Sequence, residues 1–215
     1  VCGFLLTAIP NWTGRLPVTG MPLAALAALW VAGRVAVMFG GALGPFITAI
    51  VDLAFLASLV GIVAREIIAG NNRRNLPILA ICVLFLVANA LFHWVAMGDG
   101  AAAHDGGARL GIATLVTLIT LIGGRIIPSF TRNWLAKQEP GVLPTPMGRF
   151  DAGVIAATVV TLAAWVAQPE SRLVGGVMLL VGAAHLIRLS RWTVWRCTSE
   201  PLVWVLHLGY GLIPL

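Results

Sequence analysis

The chain has 215 residues, of which 59% are apolar and only 10% are charged, and its mean hydropathy is +0.95. A soluble domain carries about 25% charged residues, so this composition excludes a water-soluble globule, a disordered chain and a disulfide-stapled secreted module. The net charge of +6 would favour nucleic acid as the partner of a soluble protein, but here the basic residues lie between apolar runs. We therefore predict an integral membrane protein whose partner is the lipid bilayer, with no nucleic-acid partner.

Long apolar runs dominate the sequence. They are continuous and mostly close to the roughly 20 residues that a membrane helix needs, whereas barrel strands would be about ten residues of alternating character. A helix also satisfies its own backbone hydrogen bonds in lipid. The pattern predicts an all-α, polytopic transmembrane helix bundle of about seven spans, plus the tail of an earlier span. The runs cover residues 21–39, 46–68, 76–97, 109–127, 150–167, 173–189 and 201 onward.

Both ends of the chain are typical of a piece of a longer membrane protein. The opening stretch from Val1 to Pro10 is apolar, and it has neither the basic leader nor the small-residue cleavage site of a signal peptide. The last run, from Pro201 to Leu215, is shorter than the roughly 20 residues needed to cross a bilayer. We therefore expect a single transmembrane helical bundle over residues 1–215, with further spans at both ends.

Basic residues alternate between the connections of the predicted spans. One set of connections holds eight basic residues and the other set holds one, Arg172, so the first set is predicted to face the cytoplasm. The basic set is 10–20, 69–76, 128–149 and 189–200, and the other set is 40–45, 98–108 and 168–172. His104 lies in one of the outer connections and is expected to be solvated.

Two short segments share a pattern. Residues 9–13 (IPNWT) and 127–131 (IPSFT) both contain Ile-Pro, an aromatic residue and Thr, and four spans separate them. One interpretation is a parallel internal repeat. The other is that each proline lies just past the end of a helix and stops it.

Motifs of soluble enzymes are absent from the sequence. It contains no P-loop, HExxH, GxSxG or Rossmann signature. Cys2, Cys82 and Cys197 have no CxxC spacing, so we interpret them as small packing residues and not as a disulfide framework or a thiolate metal site.

Ionisable residues inside the spans are the candidate functional residues, because each costs at least about 2.5 to 3.5 kcal/mol at the middle of the bilayer. From the rise of a helix, Arg34, Asp52 and His93 lie at a similar depth below the outer boundary on consecutive spans. One interpretation is a structural ion pair with His93 hydrogen-bonded beside it. The other is that His93 binds a metal while Asp52 orients its second ring nitrogen. The spacing leaves both interpretations open.

A second group of polar residues lies nearer the cytoplasmic boundary. His185 and His207 are on successive spans at a similar depth, so their imidazoles could face each other. Neutral imidazoles suit iron and copper, and facing helices hold haem or metal in this way in bundles. The arginines nearby could bind carboxylates such as haem propionates, or simply extend to lipid phosphates. The charged residues of this group are Arg65, Glu66, Arg125 and Arg188.

Five segments, in order across the chain, resemble the NnrS family of bacterial membrane proteins. The two longest and most specific are residues 3–15 (GFLLTAIPNWTGR) and 123–135 (GGRIIPSFTRNWL). The others are residues 89–94 (NALFHW), 183–192 (AAHLIRLSRW) and 207–210 (HLGY).

The resemblance implies a multi-pass protein of the bacterial inner membrane that contains haem and copper and is linked to nitric oxide and nitrosative stress. Family members have further spans, and a histidine-rich motif precedes the position at which this sequence starts. We hypothesise that His93, His185 and His207 are the metal ligands and that Arg125 binds a haem propionate. Nitric oxide would then bind at the metal. Neither the residues nor the resemblance decides whether the protein is an enzyme.

Two other functions fit the same residues. In a transporter, Arg34, Asp52 and the buried histidines would line a proton or substrate path. In a metal-free assembly partner, the same polar residues would fix only the register of the helices.

Overall fold

The computed structural model describes residues 2–98, 101–138 and 140–215, and from 101 to 105 it describes the helix but not the side chains. The described residues form helices and contain no strand, which confirms the predicted all-α fold. Six helical segments are long and apolar enough to cross a membrane, close to the predicted number of about seven. They are Met21–Met38, Pro45–Ala69, Arg73–Ala96, Gly106–Leu135, Arg149–Ala167 and Arg172–Arg196.

The first compact unit is Val1–Gly111. Its longest helix, α4, packs against the helices before and after it in sequence. Three of its helices have proline in the first turn, where the missing N–H group would have no partner within the helix. The elements are α1 (Cys2–Thr13), α2 (Met21–Met38), α3 (Gly40–Leu43), α4 (Pro45–Ala69), a 3₁₀ turn (Arg73–Asn75), α5 (Leu76–Ala96) and the start of α6 (Ala101–Leu135).

The second compact unit is Ile112–Leu215. It contains the rest of α6, followed by α7 (Arg149–Ala167), α8 (Arg172–Ser190), a 3₁₀ turn (Val194–Arg196) and α9 (Pro201–Gly211). Helix α8 packs against both α7 and α9. The seventh apolar run forms the 11-residue helix α9, which is shorter than a membrane span. The single bundle over residues 1–215 stays a prediction.

Helix α6 is longer than its predicted run of 109–127. It begins at Ala101 and ends at Leu135, so the predicted connections 98–108 and 128–149 were wrong for residues 101–108 and 128–135, which are helical. The side chain of His104 lies outside the described residues. Gly107 explains how this extension packs on α5: a Cβ atom at Gly107 would lie 2.6 Å from the backbone nitrogen of Phe92. The apolar pattern misses the extension because glycine and alanine contribute little hydropathy.

Proline does not end either helix that contains the shared Ile-Pro pattern. Pro10 lies inside α1 and Pro128 lies inside α6, so the interpretation of these prolines as helix stops was wrong. Each helix continues past its proline, and in each the hydroxyl of the following threonine donates to an isoleucine carbonyl four residues earlier: Thr13 to Ile9 at 2.9 Å and Thr131 to Ile127 at 2.8 Å. The two segments therefore share local structure, and the parallel repeat stays a prediction.

The three cysteines are free thiols, in agreement with their interpretation as packing residues. Cys197 is fully buried between Leu135 and Val203 in the second unit. Burial raises the pKa of the Cys197 thiol, although the Arg196 charge opposes this effect. The thiol therefore stays protonated at neutral pH and behaves as a small apolar side chain.

Candidate metal-binding histidines

A polar cluster joins α2, α4 and α5 in the first unit, in which Asp52 and His93 are buried and Arg34 is exposed. Arg34 pairs with Oδ1 of Asp52, and the other carboxylate oxygen, Oδ2, lies 3.0 Å from Nε2 of His93. The amide of Asn89 donates to the same Oδ2 atom at 2.8 Å. The structure therefore brings together the three residues that depth alone had grouped, and it adds Asn89.

Glycine permits the close approach of α2 and α4 at this cluster. A Cβ atom at Gly33 would lie 3.0 Å from Oδ1 of Asp52 and 3.3 Å from its Cα atom. Because Arg34 follows Gly33 directly, the same close crossing places the guanidinium beside the carboxylate. Small residues at a helix crossing in lipid commonly have this role.

The hydrogen bond to Asp52 sets the tautomer of His93. A carboxylate only accepts, so Nε2 of His93 carries a proton, and in the neutral imidazole Nδ1 carries the lone pair. The His93 residue as a whole is buried, with 7% exposure. A histidine that donates one ring N–H to a carboxylate and offers its other nitrogen is the usual arrangement of a metal ligand.

His207, on α9, has the corresponding arrangement with a backbone carbonyl. Its Nδ1 atom lies 3.0 Å from the carbonyl oxygen of Val203 and must donate, which leaves the lone pair on Nε2. The nearest polar atom to Nε2 is the hydroxyl of Thr131, at 3.4 Å. That hydroxyl donates its proton to a backbone carbonyl at 2.8 Å, so it has none for the imidazole. Nε2 of His207 is therefore a buried nitrogen available to a ligand.

Both ring nitrogens of His185 are engaged. The hydroxyl of Thr158 donates to the carbonyl of Val154 at 2.7 Å, so it accepts from Nε2 of His185 at 2.9 Å. Nδ1 then accepts from the hydroxyl of Tyr210, also at 2.9 Å. Metal binding at His185 would require the loss of the Tyr210 bond, so this residue fits a metal less well than His93 or His207. Its predicted role as a ligand stays a prediction.

Tyr210 connects His185 to a buried charge network. Nη1 of Arg188 donates to the Tyr210 hydroxyl at 2.7 Å and to the carbonyl of Thr120 at 3.1 Å. Nε of Arg188 donates to Asp151 at 2.9 Å, and both side chains of this ion pair are buried. Arg188 was a sequence candidate, whereas Asp151 and Tyr210 were not. Asp151 lies in the first turn of α7, where an acidic residue is typical of helix capping, and it does accept from the backbone of Gly148 at 3.0 Å.

Two glycines of α6 make room for this network. A Cβ atom at Gly123 would lie 2.9 Å from the ring of Tyr210, and one at Gly124 would overlap the guanidinium of Arg188. The Gly-Gly pair therefore has a steric role in the segment that resembles the family. Arg125, the next residue, is partly buried, and its proposed role as a propionate ligand stays a prediction.

The imidazoles of His185 and His207 are linked through aromatic rings and do not pair directly. The ring centroids of His185 and Tyr210 are 5.8 Å apart, those of Tyr210 and Trp192 are 4.7 Å apart, and those of Trp192 and His207 are 6.4 Å apart. Trp192 is 1% exposed, so it belongs to the core of this unit. Among the described residues, no group of three or more His, Cys, Asp or Glu side chains could hold a metal ion. A metal at either free nitrogen would need ligands of other kinds or from outside the described residues.

A small cavity of about 140 Å³ lies beside His185 in the second unit. Thr158 and Thr161 contribute to its lining, together with apolar side chains such as Leu162 and Met178. The cavity is partly open, and its volume suits a small molecule and not a porphyrin. The cavity therefore fits a diatomic gas.

Comparison with known proteins gives one family. The family model described as NnrS protein matches residues 1–215, in agreement with the resemblance seen in the sequence. No curated protein and no solved structure matches the chain.

Proposed function

The chain belongs to the NnrS family, and from this premise we propose that it holds haem and copper in the bacterial inner membrane and binds nitric oxide in the nitrosative stress response. The observation that carries the proposal is the hydrogen bonding of two buried histidines. His93 and His207 each donate one ring N–H to a fixed acceptor and keep the other nitrogen for a ligand. His185 differs, because both of its ring nitrogens are hydrogen-bonded to hydroxyl groups.

His93 is proposed to bind a metal through Nδ1, and His207 through Nε2. Asp52 orients His93, and the Arg34 guanidinium, which is 54% exposed, pairs with the buried Asp52 carboxylate. A haem iron or copper held by these residues would supply the metal to which nitric oxide binds. Arg125 is proposed to bind a haem propionate through its guanidinium.

Nitric oxide is small and apolar, so it enters the bundle through lipid without a water channel. The cavity beside His185 is proposed as a place where the gas resides. The hydrogen bonds to Tyr210 and Thr158 hold the His185 ring in one tautomer. Because both ring nitrogens are already bonded, this side of the cavity needs no water molecule as a hydrogen-bond partner.

The proposal is tested by adding nitric oxide without oxygen to the complete protein, purified in mild detergent. We expect a Soret band that shifts on addition, because the ligand changes the field at the iron. A colourless protein, or a band that nitric oxide does not move, would contradict the proposal. A metal-free protein that moves a solute across proteoliposomes would favour the transporter instead.

A further inference from the structure

An open cavity of about 610 Å³ lies at the end of the first unit that is predicted to face the cytoplasm. The irregular segment that follows α1, from Gly14 to Thr19, forms much of its lining, and Ile62, Arg65 and Glu66 on α4 form the opposite side. This volume is within the range of about 300 to 1,000 Å³ that is typical of ligand sites. The cavity contains none of the histidines discussed above.

A buried carboxylate fixes two guanidinium groups at this cavity. Glu66 is 2% exposed, and its Oε2 atom accepts from Nε of Arg15 at 2.5 Å. Its Oε1 atom accepts from Nε and Nη2 of Arg65 at 3.0 and 2.7 Å. Two positive charges thus share one negative charge, so the site carries a net charge of +1.

The two arginines keep donors for a further anion. Glu66 takes only Nε of Arg15, and it takes Nε and Nη2 of Arg65. Both terminal nitrogens of Arg15 and Nη1 of Arg65 have no bond to another described residue. The side chains of Arg15 and Arg65 are 41% and 68% exposed, so these donors are accessible. Arginines that only extended to the bilayer surface would not need a buried carboxylate to hold them in place.

We propose that this cavity binds the phosphate group of an anionic phospholipid. Guanidinium forks match the geometry of phosphate, and basic pockets at the cytoplasmic side of membrane helices bind anionic head groups. Leu16, Val18 and Ile62 give the same cavity an apolar side, which suits the glycerol and upper acyl carbons of a lipid better than free phosphate.

The test measures binding of phosphatidylglycerol to the complete protein in phosphatidylcholine nanodiscs by native mass spectrometry. We expect Arg65→Gln to weaken the tightest bound phosphatidylglycerol about fivefold, since one basic residue near the membrane surface contributes about that factor. Arg15 still pairs with Glu66 in this variant, so the buried carboxylate keeps a partner.

The matched control is Arg73→Gln with Arg74→Gln. These arginines are exposed on the 3₁₀ turn of the same predicted membrane side, outside the cavity, so the control removes more charge and leaves the site intact. A second variant, Ile62→Trp, fills the cavity and keeps every charge, and we expect it to weaken binding as well. Equal binding by wild type, Arg65→Gln and Ile62→Trp would overturn the proposal, and so would an equal loss in the control.

Free phosphate is the other source of the same group. Addition of inorganic phosphate to phosphatidylcholine nanodiscs tests it directly. If the wild type retains inorganic phosphate and Arg65→Gln does not, the cavity binds phosphate but is not specific for a lipid, which would overturn the lipid proposal. Retention of phosphatidylglycerol alone supports the lipid, and retention of neither by the wild type overturns the site.

Discussion

Replacing Asp52 by asparagine is expected to lower the metal affinity of the complete protein by about 10- to 100-fold, the usual effect of losing the partner that orients a ligating histidine. The carboxylate fixes the proton of His93 on Nε2 and balances the charge of Arg34. An asparagine amide can present either a donor or an acceptor to the ring, so it no longer selects one tautomer. The measurement is iron and copper per polypeptide after dialysis against a graded series of chelator concentrations.

Glu66→Gln is the matched control for Asp52→Asn. Glu66 is a buried carboxylate on the same helix, α4, and is also paired with arginine, but it contacts no histidine. We expect this variant to keep the metal affinity of the wild type. Wild-type affinity in Asp52→Asn, or an equal loss in both variants, would show that Asp52 does not act through His93.

Replacing Asp151 by asparagine is expected to cost about 3 to 5 kcal/mol of unfolding free energy, because it leaves the charge of Arg188 buried without its partner. Arg188 has 0% exposure and cannot reach solvent by a change of rotamer in this packing. Its Nη2 atom already lacks a hydrogen-bond partner among the described residues. Loss of the Asp151 bond would therefore leave a second nitrogen of the same guanidinium without its partner. The measurement is reversible unfolding in mixed micelles, followed by tryptophan fluorescence.

The double variant Asp151→Asn with Arg188→Met separates the charge from the packing. It removes both charges at a similar side-chain volume, and replacement of a whole buried ion pair is often close to neutral. We expect it to be more stable than Asp151→Asn alone. If the single variant unfolds within about 1 kcal/mol of the wild type, Asp151 is not the partner that makes burial of Arg188 tolerable.

The positions of the spans could be predicted from the sequence because a bilayer imposes length and composition directly. Depth along a helix was predictable for the same reason, since it follows from a fixed rise per residue. Depth alone grouped Arg34, Asp52 and His93, and the structure joins them. The first part of helix α6, before its apolar run, could not be predicted, because its glycine and alanine residues pack without adding hydropathy.

Rotation about each helix axis could not be predicted, and it decides which side chains meet. His185 and His207 are at a similar predicted depth, yet their rings connect only through Tyr210 and Trp192. Asp151 was missed because its position at the start of a helix already had an ordinary explanation in capping. The tautomers of the histidines depend on individual acceptors, such as the Val203 carbonyl, which carry no signature in the sequence.

The most direct measurement of the central claim is the iron and copper content, with the visible spectrum, of the complete protein and its single histidine variants. We expect His93→Ala and His207→Ala each to lose metal, because each variant removes a proposed ligand nitrogen. We expect His185→Ala to keep the metal, because both ring nitrogens of His185 are hydrogen-bonded to hydroxyl groups. Full metal content and an unchanged spectrum in both His93→Ala and His207→Ala would contradict the account.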